Sequence, residues 1–162
     1  MAFSMEQQLS AQERVRAALD AAGVEARIQE FRVSTRTAQD AADAIGTGVG
    51  QIVKSLVFLS GDQPVLALVS GSNQLDPSKL ASLTGAEIRK AGAEAVRQAT
   101  GYAIGGVPPL GFPAPIRTYI DRDLLQYDEI WAAAGTPKDV FRTTPTAMLR
   151  FTGGTVADLK RD

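Results

Sequence analysis

Neither cysteine nor histidine occurs anywhere in this chain. Without thiols there is no disulfide framework, no thiolate nucleophile and no thiolate metal site. Without imidazole, the Ser-His-Asp triad, the Cys-His dyad and zinc sites built on imidazole ligands are excluded as well. Any chemistry therefore rests on carboxylates, lysine, hydroxyls, backbone amides or groups of the substrate itself, and neither a metal nor another cofactor is expected. Long apolar runs are missing too. The longest, Ile52 to Leu59, carries Lys54 and Ser55 and is far too short to span a bilayer. The first ten residues, MAFSMEQQLS, lack the positive start and apolar stretch of a secretory signal, so a cytoplasmic protein without a membrane partner is expected. Nor is there an excess of basic residues: 17 Lys and Arg stand against 18 Asp and Glu, for a net charge of −1. That balance argues against gripping duplex DNA through a broad basic face.

What is present is enough for one core. With 44% hydrophobic and 22% charged residues over 162 positions, a single domain closes without disulfides or metals, and one domain over residues 1–162 is expected. Ser10 followed by Glu13 fits a capping box, and Val15, Ala18, Leu19 and Ala22 recur at helical spacing until Gly23. Val24 to Val33 alternates in part and predicts a strand. A short helix from Thr37 through Ile45 precedes Gly46, a suitable left-handed stop. Ile52 to Ser60 and Pro64 to Ser70 flank Gly61-Asp62-Gln63, the composition of a hairpin. Asp76-Pro77 caps a helix through Leu83 that ends near Gly85, and another helix covers Ala93 to Ala99. Residues 101–115 hold four glycines and four prolines, a density that excludes regular structure over most of their length. Further strands are predicted at Ile116 to Asp121 and Glu129 to Ala134, and a last helix from Thr144-Pro145 to Gly153. Because strands and helices interleave without strict alternation, the fold class is α+β, a mixed β-sheet with surrounding helices.

Three places can carry chemistry. Lys54 interrupts the apolar run IVKSLVF, where an unpaired ammonium is costly to bury. Strand alternation alone turns it to solvent while Val53, Ser55 and Val57 face the other way; alternatively it lines a cleft and meets an anion as a point charge. Gly105-Gly106-Val107-Pro108-Pro109 gives a backbone that is permissive and then fixed, suited to aiming N–H groups at a carbonyl or phosphate oxygen. A tight turn would require glycine as well. Ala132-Ala133-Ala134-Gly135 ends a strand in very small residues, which either permit close packing or wall a pocket for a small side chain.

Four segments stand in order: QIVKSLVF at 51–58, VSGSNQLD at 69–76, TGYAIGGVPPLG at 100–111 and IWAAAGTP at 130–137. In that order they resemble the YbaK/ProX family, which includes free-standing aminoacyl-tRNA deacylases and the editing insertion of bacterial prolyl-tRNA synthetases. The similarity runs from about the first helix to TVADL at 155–159. It implies the YbaK/ProRS-associated-domain fold and a carboxylic ester hydrolase that removes a wrongly attached amino acid from tRNA in trans. Alanine or another small residue on proline tRNA is the leading substrate. The implied partners are the acceptor end of aminoacyl-tRNA and a prolyl-tRNA synthetase. By the same match, Lys54 corresponds to a lysine that anchors the aminoacylated end. Gly105, Gly106 and Val107 supply backbone groups around the aminoacyl carbonyl, Gly106 joining Lys54 as catalytic. Ser70 and Pro108 lie in the matching motifs on the substrate-binding side. Ala134 and Gly135 border the side-chain pocket, and Phe31 aligns with an aromatic position near it. Cysteine-specific relatives tend to carry a serine in the segment matching Ala132 to Gly135, and many close relatives carry histidine where Phe112 stands; this chain has neither.

The chemistry implied is within reach of such residues. An aminoacyl ester is already labile because the neighbouring α-ammonium withdraws electrons. One preorganised oxyanion donor is worth roughly 3–4 kcal/mol and a tenfold rate about 1.4 kcal/mol, so backbone N–H groups and a positioned water supply several hundredfold. In the family, the vicinal ribose hydroxyl is a further group that orients the water. With a net charge of −1, the protein is expected to hold the acceptor end and little else, or to receive the tRNA from a synthetase. The rival reading is a non-catalytic module of the same fold that captures tRNA ends or nucleotides, or docks on a synthetase.

Overall fold

A computed structural model describes residues 9–31 and 37–162. Local chemistry sets most helix ends. Ser10 accepts the Glu13 N–H and starts α1 (Ala11–Ala21), and Thr37 does the same through Asp40 for α2 (Ala38–Ile45), which stops at Gly46 with φ +85°. α3 (Pro77–Thr84) begins with the Asp76 carboxylate on Ser78 N–H and a first-turn proline, and ends at left-handed Gly85. α4 (Ala93–Thr100) and α5 (Pro145–Thr152) also end on left-handed glycines, Gly101 and Gly153. Each terminal glycine satisfies a carbonyl of the last turn at no Cβ cost. No helix among the described residues is long and apolar enough to cross a membrane.

The strands are β1 (Ile28–Glu30), β2 (Val53–Ser60), β3 (Gln63–Ser70), β4 (Ile88–Lys90), β5 (Arg117–Asp121), β6 (Ile130–Ala133), β7 (Asp139–Thr143) and β8 (Thr155–Ala157). They form two sheets. The larger, in the order β4-β2-β3-β5-β8, is mixed: β2 runs antiparallel to β3 and β4, whereas β3, β5 and β8 are parallel. The smaller, β1-β7-β6, is antiparallel. An α+β arrangement with a mixed sheet is what the sequence pattern predicts, but the strands are divided between two sheets that pack on a shared core and, among the described residues, are linked through the backbone at one bridge, Ile52 with Trp131. The expected strand over residues 24–33 is regular only at β1; positions 32 and 33 lie outside the described residues. The hairpin turn is shorter than expected, because Gln63 pairs with Ser60 and leaves only Gly61 (φ +61°) and Asp62 in the turn.

Alternation along the central strands divides the core. Val53, Val57, Leu66, Leu68 and Ile120 face one side, where Val15 and Leu19 of α1, Val96, Met148 and Phe141 of the second sheet close over them. Val65, Ala67, Val69 and Tyr119 face the other, under Leu75, Leu80 and Leu159. A third cluster, Ala41, Ala42, Ile52, Trp131 and Val140, joins α2 to the outer face of the small sheet. Phe141 is fully buried where the sheets meet. Phe141→Ala is expected to cost about 3–5 kcal/mol, measurable as a lowered midpoint in urea unfolding.

Candidate functional site

Where the two sheets diverge beside the Ile52–Trp131 bridge, they leave a cavity of about 670 Å³. Its walls come from the start of α2 (Thr37, Ala38, Gln39), the first half of β2 (Val53 to Leu56), Gly71, the loop residues Ile104, Gly105 and Val107, and Trp131 to Ala133, Thr136, Pro137, Asp139 and Val140. Most of this surface is apolar. A volume of that order and a mainly apolar lining with a few polar groups are the usual make-up of a small-molecule site.

Lys54 is one of those polar groups. Its side chain is half-buried in the cavity wall, not turned out to solvent, and its ammonium donates to the Asn73 carbonyl. Burial holds its pKa below the ordinary lysine value, and the Asp121 carboxylate partly opposes that shift. Gly105, also in the wall, adopts φ +92°, a conformation that favours glycine. The N–H groups of Gly105 and Val107 have no hydrogen-bond partner among the described residues. Gly106, between them, is different. Its N–H donates to Ala103 O at 3.0 Å and its carbonyl accepts from Gly135 N–H at 2.9 Å. Gly106 therefore ties the loop to the end of β6 and lies behind the cavity wall, and its amide is not available to a ligand.

The other residues singled out from sequence are placed as follows. Ala134 and Gly135 are buried behind the wall, Ala134 donating to Asp139 O at 2.8 Å, while their neighbours Ala132 and Ala133 form the lining. Pro108 is buried in the body of the loop. Ser70 is fully buried, its hydroxyl donating to Gly50 O at 2.7 Å and its N–H to Asp121 at 3.0 Å, so it supports the strand end next to Lys54 without reaching the cavity. Phe31 packs against the cluster of Ile52, Trp131 and Val140, one layer outside the lining. Lys54, Gly105 and Val107, distant in sequence, are thus brought to one cavity, and the remaining six are not part of its surface.

Sequence reasoning missed Asp139 and Ser55. Asp139 is 6% exposed and lines the cavity; one carboxylate oxygen receives the Thr136 hydroxyl, and the other, Oδ1, has no partner among the described residues. Ser55 is in the lining as well, and its hydroxyl, shielded from solvent, is unpartnered in the same sense. A buried polar atom left without a hydrogen bond is costly and points to a ligand or water. The signal available in the sequence was weak: a lone aspartate beyond a Thr-Pro turn, and a serine in an apolar run.

The profile of the aminoacyl-tRNA editing domain matches residues 33–151, a span that contains every residue of the cavity wall. An Enterococcus faecalis protein provisionally named Cys-tRNA(Pro)/Cys-tRNA(Cys) deacylase EbsC is 30% identical over 125 residues, 76% of each chain. The proline–tRNA ligase of Elusimicrobium minutum is 33% identical over 128 residues, which are 76% of this chain but only 22% of the ligase. Among solved structures, one provisionally designated a trans-editing enzyme for prolyl tRNA synthetase shares 48% identity and superposes with a TM-score of 0.91, covering 99% of this chain and 100% of the other. Matching profile, relatives and fold agree with the order of the four sequence motifs: the chain belongs to the aminoacyl-tRNA editing domain family.

Proposed function

We propose that this protein is a cytoplasmic trans-editing hydrolase that cuts the ester between a wrongly attached small amino acid and the terminal ribose of tRNA. Alanine on proline tRNA is the leading substrate, and a prolyl-tRNA synthetase the expected partner. The observation that supports the reading is that Lys54, Gly105 and Val107 line one cavity, the last two with N–H groups that have no partner among the described residues. In this scheme Lys54 anchors the anionic end of the nucleotide. The N–H groups of Gly105 and Val107 receive the oxyanion that forms when water adds to the ester carbonyl, and the ribose hydroxyl leaves with a proton. Such donors act on the transition state more than on the ground state, which is what raises turnover.

Ala132 and Ala133 in the wall suit a size sieve. One methylene changes pocket binding by only about 1–3 kcal/mol, so a synthetase mischarges small amino acids and a second site must remove them. Labelled alanyl, seryl, threonyl, cysteinyl and prolyl esters of proline tRNA, assayed side by side, test the assignment. Fastest release is expected for alanine, with the prolyl ester left intact. The cysteinyl ester is the informative competitor, given the specificity in the Enterococcus protein's name. Tight binding of these tRNAs without release of any amino acid would make the protein a capture module.

A further inference from the structure

The end of the large sheet holds a charged cluster that does not touch the cavity but touches the lysine in it. β3 and β5 are parallel, so their last residues, Ser70 and Asp121, lie side by side; β2 is antiparallel to β3, which puts Lys54 at the same end of the sheet. Asp121 is only 1% exposed, and a carboxylate buried so fully must be compensated. Its Oδ2 accepts the Ser70 N–H at 3.0 Å and the Asn73 side-chain amide at 2.9 Å, and its Oδ1 accepts the Asp123 N–H at 2.9 Å. All three donors are neutral, so they orient the carboxylate without cancelling its charge. The same Asn73 amide bridges to Asp123 at 2.8 Å, and its backbone N–H closes a turn onto Ser70 O at 2.9 Å. Its carbonyl is the group that receives Lys54.

We propose that Asp121 and Asn73 are the positioning residues of Lys54: the buried carboxylate is its counter-charge, and the turn pinned by the Asn73 amide sets where the ammonium sits in the cavity wall. The surrounding charges are consistent with this assignment. Asp123 is engaged by Lys160 at 3.6 Å, so the outer carboxylate has its own cation. Asp139, from the small sheet, enters the cavity from another wall. Burial disfavours the charged lysine and Asp121 favours it, so neutralising Asp121 makes Lys54 lose its proton at lower pH. Only the catalytic part of the proposal rests on the editing reading above.

The test uses the full chain with Asp121→Asn and, separately, Asn73→Ser. The Lys54 side chain is titrated by NMR, its resonance assigned by its loss in Lys54→Arg, and kcat and KM for alanyl-tRNA are measured beside thermal unfolding. Asp121→Asn is expected to move the Lys54 midpoint to lower pH and both variants to lower kcat by about tenfold or more through misplacement, with KM raised as the anchoring of the nucleotide weakens. Folded Asp121→Asn with an unmoved lysine midpoint overturns the proposal. Should that variant fail to fold, Asn73→Ser decides: an unchanged lysine resonance and unchanged kcat overturn it, whatever the loss of stability. If the wild-type protein releases no amino acid, the editing reading falls while the titration still decides the positioning.

Discussion

Lys54→Ala is expected to lower the release of amino acid from mischarged tRNA by about a hundredfold or more, the scale on which loss of a substrate-positioning group acts by letting the ester shift in the site. The fold should persist. Among the described residues the half-buried ammonium donates only to the Asn73 carbonyl, and Asp121 keeps its three neutral donors when the lysine is truncated, so the change removes a desolvation cost along with one bond and the stability change should stay below about 2 kcal/mol. Circular dichroism and urea unfolding check the second half, and single-turnover deacylation the first. Turnover equal to wild type would leave Lys54 as a lysine that merely borders the cavity. A pH effect follows from the same environment. Because burial lowers the lysine's pKa, with Asp121 opposing, the catalytically competent charged form is lost as pH rises through a midpoint below the ordinary lysine value. After subtraction of spontaneous ester hydrolysis, activity should therefore fall on the alkaline side, and earlier in Asp121→Asn.

Gly106→Val is expected to abolish turnover as well, but through packing. A Cβ at position 106 would stand 2.6 Å from Thr136 Cα and 2.7 Å from Gly135 O, inside any allowed contact, and both neighbours are backbone that cannot rotate aside. Gly135 has no room to retreat, since its own Cβ position is filled by the Ala11 backbone at 2.8 Å. The substitution must push the loop carrying Gly105 and Val107 away from the end of β6, opening the cavity and costing about 1–3 kcal/mol in overpacking. Loss of deacylation together with a lowered unfolding midpoint is the expected pair of results. A Gly106→Val protein with full activity and unchanged stability would show that the contact between the two loops does not shape the site. The effect runs through the loop and not through direct obstruction of the ester, because Gly106 lies behind the wall and Gly105 is the member of the pair that lines the cavity.

Much of the local architecture was legible before any coordinates. Ser10, Thr37 and Asp76 each place a side-chain acceptor where a helix leaves its first N–H groups unpaired, and Gly46, Gly85, Gly101 and Gly153 end helices in the left-handed conformation. These are interactions between residues two to four apart, and sequence spacing contains them in full. β4, β7 and β8 were not legible. β4 and β8 have three residues each, too few for a period of two to register, and they become strands because β2 and β5 offer them unpaired backbone groups. β7 follows the turn at Thr136-Pro137, and its central position between β1 and β6 decides it more than its composition does.

The candidate site divides along the same line. Residue types excluded thiol and imidazole chemistry and the zinc sites built on those ligands, and the order of four motifs was enough to mark Lys54 and the double-glycine loop as one family's signature. Residue types also left Lys54 undecided between solvent and cleft, because alternation in a strand describes the two faces of a sheet and not the gap at its edge where a second sheet diverges. That gap exists only once β2 and β6 meet at Ile52 and Trp131. Which backbone N–H groups remain free among the described residues and which alanines form the wall depend on pairings between segments distant in the chain, Gly106 with Gly135 and Ile52 with Trp131. The chain carries its caps, turns and residue chemistry in local order. Only closure of the two sheets onto a shared core brings distant groups to one cavity, and the free energy that enforces it is burial of apolar surface, which is blind to sequence separation.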